Sequence, residues 1–154
     1  MPVVSELLCP LPPDGPLESW PALTLLAGMV FGEARGEPHE GQLAVAWSAL
    51  NRLAAHNRWP STLHGVLLQP AQYSSLDPKG TAIAKIREPL KVDSAETWFA
   101  CYKAAAAALF GLRHPVIIKG TVTFFHETAM NPKPAWAATM QPLGVVGKLT
   151  FYQG

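Results

Sequence analysis

The chain has 154 residues, of which 49% are hydrophobic and 15% charged, and its formal net charge is +1. That length and apolar content suit one domain that builds its own core without staples. The charge balance argues against a nucleic-acid binder that works by neutralising phosphates, because its 12 Lys and Arg residues nowhere form a run.

Residues 1–19 contain Pro2, Pro10, Pro12, Pro13 and Pro16, the acids Glu6, Asp14 and Glu18, and no Lys or Arg. They read as a proline-rich arm draped over the surface, ahead of a single domain over residues 20–154. A secretory signal would begin with basic residues, so none is expected here. The longest apolar runs, residues 22–32 and 104–112, are too short for a hydrocarbon layer of about 30 Å. The expectation is a chain made in the cytoplasm, without stable membrane insertion, and delivered by other means to any substrate outside.

A first helix is predicted over residues 21–34, with Leu23, Leu26, Ala27, Val30 and Phe31 on one face. Gly28 and Gly32 leave smooth places for a close approach, and Gly36 and Pro38 end the helix. A second helix starts near Pro38, with Glu40 in its first turn and Leu43, Ala46, Trp47 and Leu50 buried. Asn51 and Arg52 sit near its polar end. Residues 57–80 read as loop, with a short helix that starts around Trp59–Thr62 and stops before Gln69-Pro70. A third main helix spans residues 93–109, opened by the capping-box spacing of Asp93 and Glu96 and closed by Gly111. Val116–Ile118 and Thr121–Phe125 are strand candidates around Lys119-Gly120, and Leu149–Tyr152 is another. Residues 126–143 read as irregular. The sum is a mostly helical α+β domain with a small sheet.

Glu33 is the leading candidate for chemistry. Its helical neighbours Met29 and Val30 belong to the apolar stripe, so its carboxyl is expected to be desolvated and to stay protonated near neutral pH. A protonated carboxylic acid is what a departing sugar oxygen requires. The competing reading is a surface acid paired with Arg35 or a lysine. Glu37 is the weaker candidate. The segment Gln69-Pro70-Ala71-Gln72-Tyr73-Ser74-Ser75 mixes amides, a phenol and hydroxyls. Such groups line sugar clefts, although an ordinary surface loop has the same composition. His126-Glu127 lacks the second histidine of His-Glu-x-x-His because position 130 is Met, and the five histidines show no ligand pairing, so no metal and no cofactor is expected. Cys9 and Cys101 are expected to be free thiols, with a tail-to-helix disulfide as the alternative. Ser74 has no nucleophile elbow around it.

Residues 25–46, with Gly32-Glu33-Ala34-Arg35-Gly36-Glu37 at their centre, Gly41-Gln42 and then Asn51-Arg52, resemble the opening motif of the spore-cortex-lytic, or SleB-type, cell wall hydrolases. Gln69-Pro70-Ala71-Gln72-Tyr73-Ser74 resembles the family's Gln-Pro-x-Gln-Phe-Ser segment, with Tyr73 in place of Phe and no Cys-Trp after Ser74. Phe125-His126, Asn131-Pro132 and Trp136 resemble its late aromatic segment. The resemblance spans residues 22–152. It implies a lysozyme-like fold of the lytic transglycosylase and goose-type lysozyme kind. It also implies cleavage of peptidoglycan glycan strands, with Glu33 catalytic.

On that footing Gln72, Tyr73, Ser74, His126 and Trp136 are expected to bind substrate, His126 as a hydrogen-bonder and Trp136 as a stacking surface. Arg35 is expected to be structural. The partners expected are peptidoglycan glycan strands and no nucleic acid, for a monomer. The expected reaction is lytic transglycosylation; a hydrolytic muramidase using Glu37 or bound water, a non-catalytic glycan-binding module and a zinc amidase are the alternatives. A phage-type endolysin or particle lysin, released to the wall by a holin or carried by the particle, is the expected setting, with a bacterial housekeeping hydrolase as the alternative.

Overall fold

The computed structural model describes residues 9–55 and 57–154. The start of the arm, residues 1–8, and His56 lie outside the described residues. Five helices come first: α1 (Ala22–Ala34), α2 (His39–Ala54), α3 (Leu63–Leu68), α4 (Ala82–Arg87) and α5 (Ala95–Leu109). Three strands follow: β1 (Phe124–Glu127), β2 (Gln141–Val146) and β3 (Leu149–Gln153). They form an antiparallel sheet in the order β1-β3-β2. Among the described residues no helix is long and apolar enough to cross a membrane.

α1 is the core of the molecule. The sequence pattern predicts one apolar face, but Thr24 through Phe31 are all buried. A helix packed on every side needs no polar face, and α1 is surrounded by α5, α2, α4, α3 and the turn at Ser74–Leu76. Its two glycines admit these neighbours. A Cβ on Gly28 would lie 2.8 Å from Ile86, and one on Gly32 would lie 2.5 Å from the Cβ of Ser75.

α2 follows after a corner at Gly36–Pro38. Gln42 reaches back from it and donates to the carbonyls of Ala34 and Arg35 at 3.3 and 3.4 Å. These are carbonyls at the end of α1 that the helix itself leaves without partners. α5 begins one residue later than the capping-box spacing suggests: the Ser94 hydroxyl accepts from the Thr97 N–H, while Asp93 accepts from the Ser94 N–H. It ends in a Schellman motif at Gly111, φ +66°. There the Leu112 N–H reaches the Ala107 carbonyl and the Gly111 N–H the Ala108 carbonyl.

The sheet departs most from the expectations. Val116–Ile118 forms no strand; Val116 and Ile117 are 75% and 60% exposed, and the Val116 N–H is taken by the Glu40 carboxylate. β1 pairs with β3, from the end of the chain, and not with a local hairpin partner. β2 lies inside the stretch read as irregular. Pro142 confines it to the edge of the sheet, where a missing N–H costs no ladder bond, and the pairing shifts between Pro142 and Gly144. α4 was also outside the expectation: Ile83 and Ile86 are the three-residue spaced pair that it buries.

The described part of the arm is anchored and not merely draped. Cys9 and Leu17 are buried, the Trp98 indole donates to the Pro10 carbonyl, and Arg87 donates to that of Gly15. Cys9 and Cys101 are free thiols. Burial pushes them up to about 11 and about 12, so both stay protonated and unreactive.

Candidate active site

Glu33 stands in the last turn of α1, where the helix leaves the core. Its Oε1 accepts a hydrogen bond from the Ser75 hydroxyl at 3.0 Å and a longer one from the Ser75 N–H at 3.4 Å. Gly32 makes this possible: any larger residue there would drive the Ser75 turn away from the helix. Burial is the largest influence on the Glu33 carboxyl and raises its pKa. The two Ser75 bonds favour the ionised form and oppose the rise, while the like charge of Glu127 adds to it. The net effect is a carboxyl that keeps its proton to higher pH than an ordinary glutamate.

Two hollows meet at this residue. One, of about 590 Å³, runs from Glu33 past Gln72, Ser74 and Arg52 to Phe124, His126 and Trp136. The other, of about 600 Å³, runs from Glu33 toward Glu37, Gly147 and Lys148. Both are walled by Glu33, Glu127, Ala129 and Leu149. The result is a groove with room on either side of the Glu33 carboxyl.

The residues singled out from sequence converge here, but not all in the roles expected. Gln72 and Ser74 are exposed and line the groove. The serine that touches Glu33 is Ser75, the next residue along. Tyr73 lines the same hollow from a buried position. It is 4% exposed, its hydroxyl shares a 2.9 Å hydrogen bond with Ser48, and Arg52 lies 5.0 Å from its ring centre. It is part of the floor, without a free face for a sugar ring. His126 lines the same hollow as Glu33 and hydrogen-bonds within its surroundings. Its Nδ1 lies 2.7 Å from the Glu127 carbonyl and its Nε2 2.9 Å from the Tyr152 hydroxyl. A carbonyl only accepts, so Nδ1 donates and, in the neutral ring, Nε2 accepts from Tyr152. Both nitrogens are occupied, and His126 braces the wall of the groove. Trp136 is half-buried over the groove, packed 5.0 Å from Phe124 and edge-on to Tyr152 at 5.3 Å.

Asn51 and Arg52 join the two sides. The Asn51 amide donates to the Val122 carbonyl at 2.9 Å, and Arg52 Nε donates to that of Thr123 at 2.8 Å. Arg52 Nη1 reaches Gln72 Oε1 at 3.0 Å, and its guanidinium lies over Phe124 at 4.4 Å. One side chain at the end of α2 therefore fixes both the Gln72 loop and the entry to β1. Arg35 takes the structural role: it lies 3.8 Å from Asp93 and donates to the Phe31 carbonyl. Glu37 accepts from the Lys148 N–H at 3.0 Å and ties the helix corner to the β2–β3 turn.

The family described as Cell Wall Hydrolase matches residues 36–152. The chain belongs to that family. Within the family, the spore cortex-lytic enzyme of Oceanobacillus iheyensis is 46% identical over 54 residues, which are 35% of this chain and 19% of that protein. That of Bacillus subtilis is 44% identical over 54 residues, 35% of this chain and 17% of the relative. The chain thus matches less than a fifth of these curated relatives' lengths. Among solved structures, the catalytic domain of the germination-specific lytic transglycosylase SleB from Bacillus anthracis superposes with a TM-score of 0.62 at 27% identity, over 86% of this chain and 93% of that one. The SleB catalytic domain of Bacillus cereus gives 0.62 at 28%, over 92% and 94%. The family's fold, mostly helical with a three-stranded antiparallel sheet, is the lysozyme-like α+β fold expected from the sequence.

Proposed function

We propose that the protein is a peptidoglycan lytic transglycosylase that cuts the glycan strand between N-acetylmuramic acid and N-acetylglucosamine. The observation that carries the reading is the Glu33 carboxyl, desolvated at the meeting point of two hollows. A strand lying through both would present its bridging oxygen to that proton. Glu33 gives the proton to the oxygen, the C1–O bond breaks with its electron pair left on the oxygen, and a cationic centre forms at C1. The C6 hydroxyl of the same muramyl ring attacks C1, and Glu33, now ionised, takes up the hydroxyl proton. The products are a 1,6-anhydromuramyl end and a free N-acetylglucosamine hydroxyl, and Glu33 returns to its starting state. Capture within one ring needs no activated water and gains from proximity. In this scheme Gln72, Ser74 and Trp136 line the path of the strand.

Mass spectrometry of muropeptides from purified peptidoglycan tests this. Anhydro ends are expected, Glu33→Gln should release none, and reducing ends alone would replace the scheme with hydrolysis. Delivery as a phage-type lysin belongs to the same proposal: expression with a holin should lyse cells, and expression alone should not.

A further inference from the structure

Glu127, known from sequence only as part of an incomplete metal motif, stands where both hollows meet. Its backbone is held firmly. Its carbonyl accepts from the Met130 N–H and from His126, it pairs with Leu149 across the sheet, and the next residue donates to the Lys148 carbonyl at 2.8 Å. Its side chain is different: exposed, and without a hydrogen bond or ion pair among the described residues. The other charged groups around the groove are Arg52 from α2, Glu37 from the helix corner and Lys148 from the β2–β3 turn, with the His126 and Tyr73 rings behind. Neither Arg52 nor Lys148 lies within ion-pair distance of Glu33 or Glu127 among the described residues. A rigid strand therefore presents an unpaired acidic side chain to the same two hollows as Glu33, where a cationic sugar centre would form.

We propose that Glu127 is a second catalytic residue, whose ionised carboxylate stabilises the positive charge that develops at C1 as the bond protonated by Glu33 breaks. This rests on the reading of Glu33 as general acid. Glu127 forms no covalent bond and moves no proton; it acts through charge aimed at the transition state, which lowers the barrier more than it tightens ground-state binding. Its negative charge also favours the protonated form of Glu33, so neutralising it lets Glu33 ionise at lower pH.

The test uses the full chain on soluble, stem-free glycan strands, comparing wild type with Glu127→Gln and Glu127→Asp. For Glu127→Gln, kcat is expected to fall by about 10- to 100-fold with KM within about twofold, and the alkaline limb of the kcat/KM profile should move to lower pH. Glu127→Asp keeps the charge and should keep the limb in place. An unchanged kcat and limb in Glu127→Gln overturns the proposal, and so does a raised KM with unchanged kcat, which would make Glu127 a sugar-binding group only. An altered melting temperature in Glu127→Gln that Glu127→Asp does not share, with an unmoved limb, also overturns it. Activity retained in Glu33→Gln would instead sink the underlying reading, whatever Glu127 does.

Discussion

α1 and β1 each supply one acidic residue to the groove, and they reach it by opposite means. α1 is sunk in the core, so Glu33 is placed by apolar packing from every side. β1 is partly exposed, and its position depends on a short ladder to β3 and on polar side chains reaching over from α2. The difference separates stability from activity. Damage to the packing around α1 should lower stability while the molecules that remain folded still react. Damage to the polar ties of β1 should blunt the reaction in a protein that still folds.

The largest effect comes from removing the proton. Glu33→Gln should lower turnover by about 10³-fold, within the usual range for a general acid, without unfolding the protein. The same variant tests how Glu33 is linked to stability. Its folded pKa is raised, so its contribution is fully present below the ordinary carboxylate range and is lost as pH rises through the folded value. Thermal melts should therefore show Glu33→Gln equal to wild type in acid and more stable than wild type at alkaline pH. Equal melting curves at every pH would mean that the carboxyl is not desolvated.

Next in size is Leu26→Ala in α1. Leu26 is fully buried, and its truncation should cost about 2–5 kcal/mol in denaturant unfolding, with kcat per folded molecule unchanged. Arg52→Met reverses the pattern. It removes two hydrogen bonds and leaves the Thr123 carbonyl short of a donor, at about 2 kcal/mol, and turnover should drop with it as the β1 wall loosens. If Arg52→Met lost stability but no activity, the contrast between the two regions would fail. The smallest effect belongs to Ser75→Ala. Both Ser75 bonds favour ionised Glu33, and this change removes the hydroxyl, so the alkaline limb of the pH profile should move to higher pH, opposite in sign to Glu127→Gln.

The same contrast explains what the sequence could tell. α1, α2 and α5 announce themselves through spacing and stop signals within a single turn or two, and Glu33 lies inside such a segment. Gly32 signalled a close approach, though not which residue would come. Ser75 meets Glu33 across 42 positions, and Arg52 meets Thr123 across 71. No local pattern carries such pairings. β2 was hidden by Pro142 and Gly144, residues that weaken a strand signal and are tolerated here because the strand is an edge. Glu127 was read beside His126 as a failed metal motif, whereas in the fold it lines the same two hollows as Glu33, far from it in sequence. Tyr73 lies deeper than an aromatic in a polar loop suggests, because its hydroxyl has a buried partner in Ser48.

The ties from Asn51 and Arg52 also set an order of events. Two of the groups they grip, the carbonyls of Val122 and Thr123, are made after α5, while Gln72 is made before it. When α5 is complete, Glu33, its apolar surroundings and the Gln72 side of the groove are already made, but the opposite wall with Phe124, Glu127 and Trp136 is not. The groove is thus walled last, by residues between Phe124 and Leu149, and a chain cut before them would lack that wall.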